Sequence, residues 1–189
     1  PIYADRLLLS PGATPYTSRL NFDKVVAGLL ILGLCYRGLI ASVDEWRDAL
    51  RRAWPVILIN VVVVIALALA LGFVRPEPKW NAFFIPWAMV NLFFVCMSEE
   101  AFFRGFIQRE LAERLRARRY GPGIAIGVSA VLFGAAHFAG GWKYVLLSTV
   151  AGLGYAIVFQ RSGRIEMSML AHFSLNATHF LLLTYPMAA

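Results

Sequence analysis

Charged residues are scarce in this chain, at 15%, and so are the side chains that most often build disulfide frameworks or metal clusters: two cysteines and three histidines. Cys35 and Cys96 stand far apart, each inside an apolar run. They read as small buried hydrophobes, which excludes a disulfide scaffold and a Cys-rich zinc module. Long polar tracts, internal repeats and a second compositional block are also missing, so one domain-like core is expected. The chain opens at Pro1 without an initiator Met, and a preceding signal, span or domain is an open expectation.

What the sequence has instead is apolar: 59% hydrophobic residues and a mean hydropathy of +0.65. Such a composition belongs to a membrane protein rather than to an ordinary soluble domain. The expected fold class is all-α, a polytopic membrane helical bundle of about six transmembrane helices with an interfacial amphipathic helix. Residues 1–23, with Pro11, Gly12 and Pro15, read as a surface segment. Residues 24–82 read as N-terminal membrane helices: a span over 25–43 interrupted by Arg37, an amphipathic helix over 44–54, and a span over 55–74 started by Pro55. Residues 83–189 read as the main membrane core. Its first helix is expected to run from 83 past Arg104 to about Tyr120, where Gly121 and Pro122 stop it. Segments 123–139, 144–160 and 167–185 follow, with Gly127, Gly134, Gly152 and Gly154 expected where helices approach closely.

The formal net charge of +7 invites a nucleic-acid reading, but the basic residues cluster between apolar segments. Arg47, Arg51 and Arg52, then Arg109, Arg114, Arg116, Arg118 and Arg119, then Arg161 and Arg164 fall in alternate connections, which the positive-inside rule makes cytoplasmic. The other connections hold Arg75 with Lys79, and Lys143. The expected partner on this count is the bilayer, not nucleic acid. Arginine greatly outnumbers lysine, a composition that points to a GC-rich bacterial genome and hence to the bacterial inner membrane.

Seven ionisable residues sit inside the apolar segments or at their ends: Arg37, Glu99, Glu100, Arg104, His137, His172 and His179. Charge at bilayer depth is costly, so each needs a partner or a purpose. A helix brings positions i and i+4 onto one face, so Glu100 can pair with Arg104 while Glu99 points about 100° away. That spacing suits a division of labour, with one carboxylate held and the other facing an aqueous cleft as a general base. On spacing alone, the two glutamates equally mark the membrane boundary of a long helix. His137 follows Phe133 by one turn, and Asn176 follows His172 by one turn. Polar groups on three separate helices can converge on one site.

"EEAFFR" at 99–104, "FGAAH" at 133–137 and "HFSLN" at 172–176 fit Glu-Glu-x-x-x-Arg, Phe-x-x-x-His and His-x-x-x-Asn. In this order, on successive apolar segments, they resemble the CAAX protease and bacteriocin-processing family of intramembrane glutamic endopeptidases. The resemblance covers roughly residues 83–185. It implies that Glu99 with His137 activates a water and that His172 with Asn176 stabilises the oxyanion. It further implies that Arg104 positions the glutamates, with Glu100 supporting and Phe133 a wall of the cavity. No cofactor is implied.

Two other readings stay open. Glu99, Glu100, His137 and His172 are also possible zinc ligands, although HExxH is missing. A proton-coupled transporter or membrane adaptor could use the same groups, although no inverted repeat is visible. Substrates of the resembled family range from prenylated tails to secreted peptides and C-terminal sorting tags. Because Glu99 precedes an arginine-rich helix end, the site is expected nearer the cytoplasmic side.

Overall fold

The computed structural model describes residues 2–36 and 38–188, so Arg37 lies outside the described residues. The chain is 70% helical, with six helices among the described residues. Strands β1 (Ile2–Leu7) and β2 (Tyr16–Arg19) pair antiparallel ahead of the helices. Helix α1 (Phe22–Leu30) continues into a wide π turn, Ile31–Cys35. It is followed by α2 (Val43–Ala70). Helix α3 is a continuous rod over 84–114. The last three are α4 (Gly121–Ala135), α5 (Trp142–Ser162) and α6 (Ile165–Leu182).

Several sequence expectations change here. Residues 1–23 are not a bare surface segment: they form the hairpin, and Ala4, Ser10 and Ala13 are buried. The Ser10 hydroxyl accepts a bond from the Tyr185 amide at 3.0 Å, tying the hairpin to the chain's far end. The amphipathic segment over 44–54 is not a separate interfacial helix but the first turns of α2, which runs straight through Pro55. Proline removes only the bond to the carbonyl of Arg51, an exposed position that solvent can satisfy. Ala49 and Ala53 face the protein, while Trp46, Leu50 and Trp54 face outward, as an aromatic membrane anchor requires. Ser42 caps α2 by accepting from the Glu45 amide.

Gly121 and Pro122 do not stop α3, which already ends at Arg114; they open α4. Proline suits a first turn because its missing N–H has no partner there in any case. Gly121 serves the connecting turn, since a Cβ there would stand 2.1 Å from the Leu115 carbonyl oxygen. Cys35 is exposed rather than buried, and Cys96 is buried as expected; both are free thiols.

Helices α2 and α5 are long and apolar enough to cross a bilayer. The continuous part of α1 and the whole of α4 are shorter than the roughly 20 residues a bilayer core asks of a straight helix. Leu58, Ile59 and Val62 of α2 are more than half exposed, an apolar outer face of the kind lipid covers. On its other face α2 packs Val64 and Ala68 against Leu147, Ala151 and Leu175 of α5 and α6.

Small residues set these contacts. A Cβ on Gly154 would stand 2.1 Å from the Asn60 side chain, and one on Gly134 would stand 1.8 Å from Thr149 Oγ1. Gly152 is less tightly confined, a Cβ there standing 3.0 Å from Phe133, whereas Gly127 has open space and is not an approach point. Asn60, the single polar residue expected within 55–74, donates to the Ala151 carbonyl at 3.4 Å.

Candidate active site

Helix α3 carries the centre of the site, and its geometry departs from a regular α-helix on both sides of Glu99. The stretches Asn91–Cys96 and Ala101–Gln108 are π-helical. A π turn bonds i to i+5, which widens the helix and brings such pairs together; single π segments are frequent at functional sites. Here it sets Cys96 Sγ–H 3.3 Å from Asn91 Oδ1.

Glu100 is fully buried and fully engaged. Its Oε1 lies 3.1 Å from Arg104 Nη1 and 2.9 Å from His172 Nδ1. Its Oε2 accepts from the Ser168 hydroxyl. Arg104, also fully buried, donates from Nη2 to the Gly152 carbonyl at 2.8 Å. One turn later Gln108 donates to the Ala156 carbonyl at 3.0 Å, so two successive turns of α3 are hooked onto α5. The guanidinium also stacks over Phe133, with Cζ 4.6 Å from the ring centroid. A desolvated guanidinium gains from such an aromatic face.

Glu99 is arranged differently. Its Oε2 is enclosed but has no hydrogen-bond partner among the described residues. It lines a cavity of about 400 Å³ together with Phe133, His137, His172 and Asn176. A second cavity, of about 420 Å³, also meets Glu99 and His137 and is lined by Gly28 of α1 and by Ala136.

His137 stands just past the last residue of α4, and its Nδ1 lies 2.7 Å from the Phe133 carbonyl. A carbonyl only accepts, so Nδ1 carries the proton and the neutral ring keeps its lone pair on Nε2. His172 stacks on Tyr155 at 4.7 Å between centroids and spends Nδ1 on Glu100, leaving Nε2 for the cavity. Phe133 lies between the imidazoles, 4.8 Å from His137 and 5.6 Å from His172. Asn176 donates from Nδ2 to Asn91 Oδ1 at 3.1 Å. The same Nδ2 also reaches Cys96 Sγ, a weak acceptor, at 3.9 Å.

The structure therefore brings Glu99, His137, His172, Asn176 and Phe133 to one cavity, with Glu100 and Arg104 packed behind it. His179 also lines the cavity, but its Nε2 is used by the Thr184 carbonyl at 3.1 Å, a bond that ties the end of α6 to the tail. Asn91, Ser168 and Gln108 join the network although only ionisable residues stood out in the sequence. A polar residue in an otherwise apolar helix is the signal that finds them. Among the described residues, no three His, Cys, Asp or Glu side chains are placed to share a metal ion.

No curated protein and no solved structure matches the chain. The profile described as type II CAAX prenyl endopeptidase Rce1-like matches residues 80–178, which hold Glu99, Glu100, Arg104, Phe133, His137, His172 and Asn176. Spanning just over half of the sequence, from the start of α3 almost to the end of α6, that match places the chain in the Rce1-like family of membrane proteases.

Proposed function

We propose that the chain is a multi-pass intramembrane endopeptidase of the glutamic type, residing in the bacterial inner membrane and cutting a membrane-associated polypeptide. What carries this reading is the contrast between two adjacent carboxylates: Glu100 is saturated by Arg104, His172 and Ser168, while Glu99 stays unpaired beside His137.

In the proposed reaction, Glu99 and the Nε2 lone pair of His137 draw a proton from a water between them. The water oxygen bonds to the scissile carbonyl carbon, and the carbonyl electrons move onto oxygen. Asn176 donates to that oxyanion from Nδ2, exchanging its weak contact with Cys96 Sγ, and His172 donates from Nε2. Because Nδ1–H of His172 is committed to Glu100, donation from Nε2 requires the imidazolium form. Two carboxylates against one guanidinium and one imidazolium leave the site without net charge, which suits a desolvated setting. Collapse of the intermediate breaks the C–N bond, and the proton taken from water passes to the leaving amine. Phe133 walls the cavity and keeps both imidazoles apart.

The role of Arg104 is to hold Glu100, which in turn sets the ring of His172. The test is whether replacing Glu99 by Gln abolishes the appearance of new protein termini while the protein still inserts. The zinc reading gains no observation of its own. The transporter reading leaves the Asn91–Asn176 pair without a purpose.

A further inference from the structure

We propose that the catalytic cavity opens to the non-cytoplasmic face of the membrane, so that the substrate is a polypeptide segment presented from that side. The inference rests on the protease reading for the word substrate; the orientation of the cavity stands independently of it.

The bundle has two chemically distinct ends. At one end, Arg164 pairs with Glu45 at 3.0 Å and donates to the Gly38 carbonyl at 2.7 Å. Arg109 reaches the Cys35 carbonyl there. These contacts gather the start of α2, the exit of α1, the α3–α4 turn and the α5–α6 turn at one end. The arginines of three connections lie there. At the other end, Thr184 donates its amide to the Arg75 carbonyl at 2.9 Å, and Lys143 donates to the Leu71 carbonyl at 2.8 Å. The hairpin joins this end through the Thr14 amide on the Met187 carbonyl at 3.1 Å. Its basic residues are Arg6, Arg19, Lys24, Arg75, Lys79 and Lys143, fewer than at the arginine-rich end even with the hairpin included. Lys143 caps α2, and Lys79 pairs with Glu77 at 3.7 Å. The positive-inside rule makes the arginine-rich end cytoplasmic.

The outer part of the cavity is lined by Tyr16, Phe73, Tyr144, Tyr185 and Met187, all from the arginine-poor end. No lining residue comes from the arginine-rich end. Beneath its inner wall of Tyr155 and His172, the space between helices is filled by Glu100, Arg104, Gln108 and Ser168, each at most 1% exposed. A peptide cannot pass that layer. The expectation of a site nearer the cytoplasmic side, drawn from the position of Glu99 in α3, is thereby reversed. His137 explains why: it lies at the end of α4 that leads away from the arginine turn. The outer lining is aromatic and apolar, which selects an extended segment with apolar side chains, such as the tail of an exported or membrane-anchored protein.

The test uses the full chain with Cys35→Ser, which leaves only the buried Cys96. Into it go Ala82→Cys at the arginine-poor end or Ala117→Cys at the other, both at exposed positions. Pro11→Cys in the exposed hairpin turn duplicates the first in case Ala82→Cys fails to fold. Bacterial cells are treated with a membrane-impermeant maleimide before and after permeabilisation. Expected is labelling of Ala82→Cys and Pro11→Cys in intact cells, with Ala117→Cys labelled only after permeabilisation. The reverse pattern overturns the proposal. So does the expected pattern together with Glu99-dependent cleavage confined to cytoplasmic segments. The expected pattern without any Glu99-dependent cleavage removes the protease reading and leaves the orientation upheld.

Discussion

His172 Nδ1 lies 2.9 Å from Glu100 Oε1, on an oxygen that Arg104 Nη1 approaches at 3.1 Å. One carboxylate thus orients an imidazole and neutralises a guanidinium in a place solvent does not reach. It cannot also serve as the base for water. That division between Glu100 and Glu99 makes the neighbours experimentally separable.

Replacing Glu100 by Gln is expected to act first on stability. It leaves Arg104 as an uncompensated buried charge, and breaking such a pair costs about 3–5 kcal/mol. Thermal unfolding in detergent should show a large loss for Glu100→Gln and almost none for Glu99→Gln. Equal losses would mean that Glu99 is also a structural partner.

Activity should divide the other way. Glu99→Gln and His137→Ala each remove a proposed proton acceptor for the attacking water, and the expected losses are on the order of a hundredfold to ten-thousandfold in kcat, as for positioned acid–base groups. His172→Ala is likewise expected to abolish cleavage. Full activity in any of the three would withdraw that residue from the chemistry.

Asn176→Ala deletes the proposed oxyanion donor, a change expected to cost on the order of a hundredfold to a thousandfold in kcat. Asn91 does not line up with the reacting atoms but holds the Asn176 amide at 3.1 Å. Asn91→Ala should therefore lower kcat with KM nearly unchanged, and Asn91→Asp, which keeps the accepting oxygen, should recover part of the loss. An effect on KM alone would assign Asn91 to substrate binding instead.

Two glycines give a paired test of packing. A Cβ on Gly152 would stand 3.1 Å from Arg104 Nη2 and 3.0 Å from Phe133. Gly152→Val should destabilise by about 1–3 kcal/mol, the usual cost of overpacking, and lower activity by displacing the guanidinium. Gly127→Ala meets nothing within 4 Å and should be neutral or slightly stabilising.

Activity in the presence of a chelator is expected to persist, because the proposed steps use only side chains and water. Loss on chelation with recovery on adding zinc would establish the metalloprotease reading.

The three motifs were legible in the sequence because each places its defining residues one helical turn apart in an apolar run, and the Glu100–Arg104 pair formed as that spacing predicts. What stayed hidden has physical causes. Pro55 reads as a helix start, yet its lost bond falls at an exposed carbonyl and the helix continues. Gly121 and Pro122 read as a stop, yet both residues suit the first turn of the next helix. The π segments of α3 leave no mark in composition, so the meeting of Asn91 with Cys96 could not be read from α-helical spacing. The hairpin escaped because residues 2–19 alternate weakly and are stabilised by the distant tail, as in the Ser10–Tyr185 contact.

The most direct test of the central claim compares wild type with Glu99→Gln in cells lacking the gene, mapping protein termini in membrane and secreted fractions by mass spectrometry. Expected are termini that appear only with the wild-type chain, both variants being inserted to the same level. Identical terminus maps from the two would contradict Glu99-dependent proteolysis.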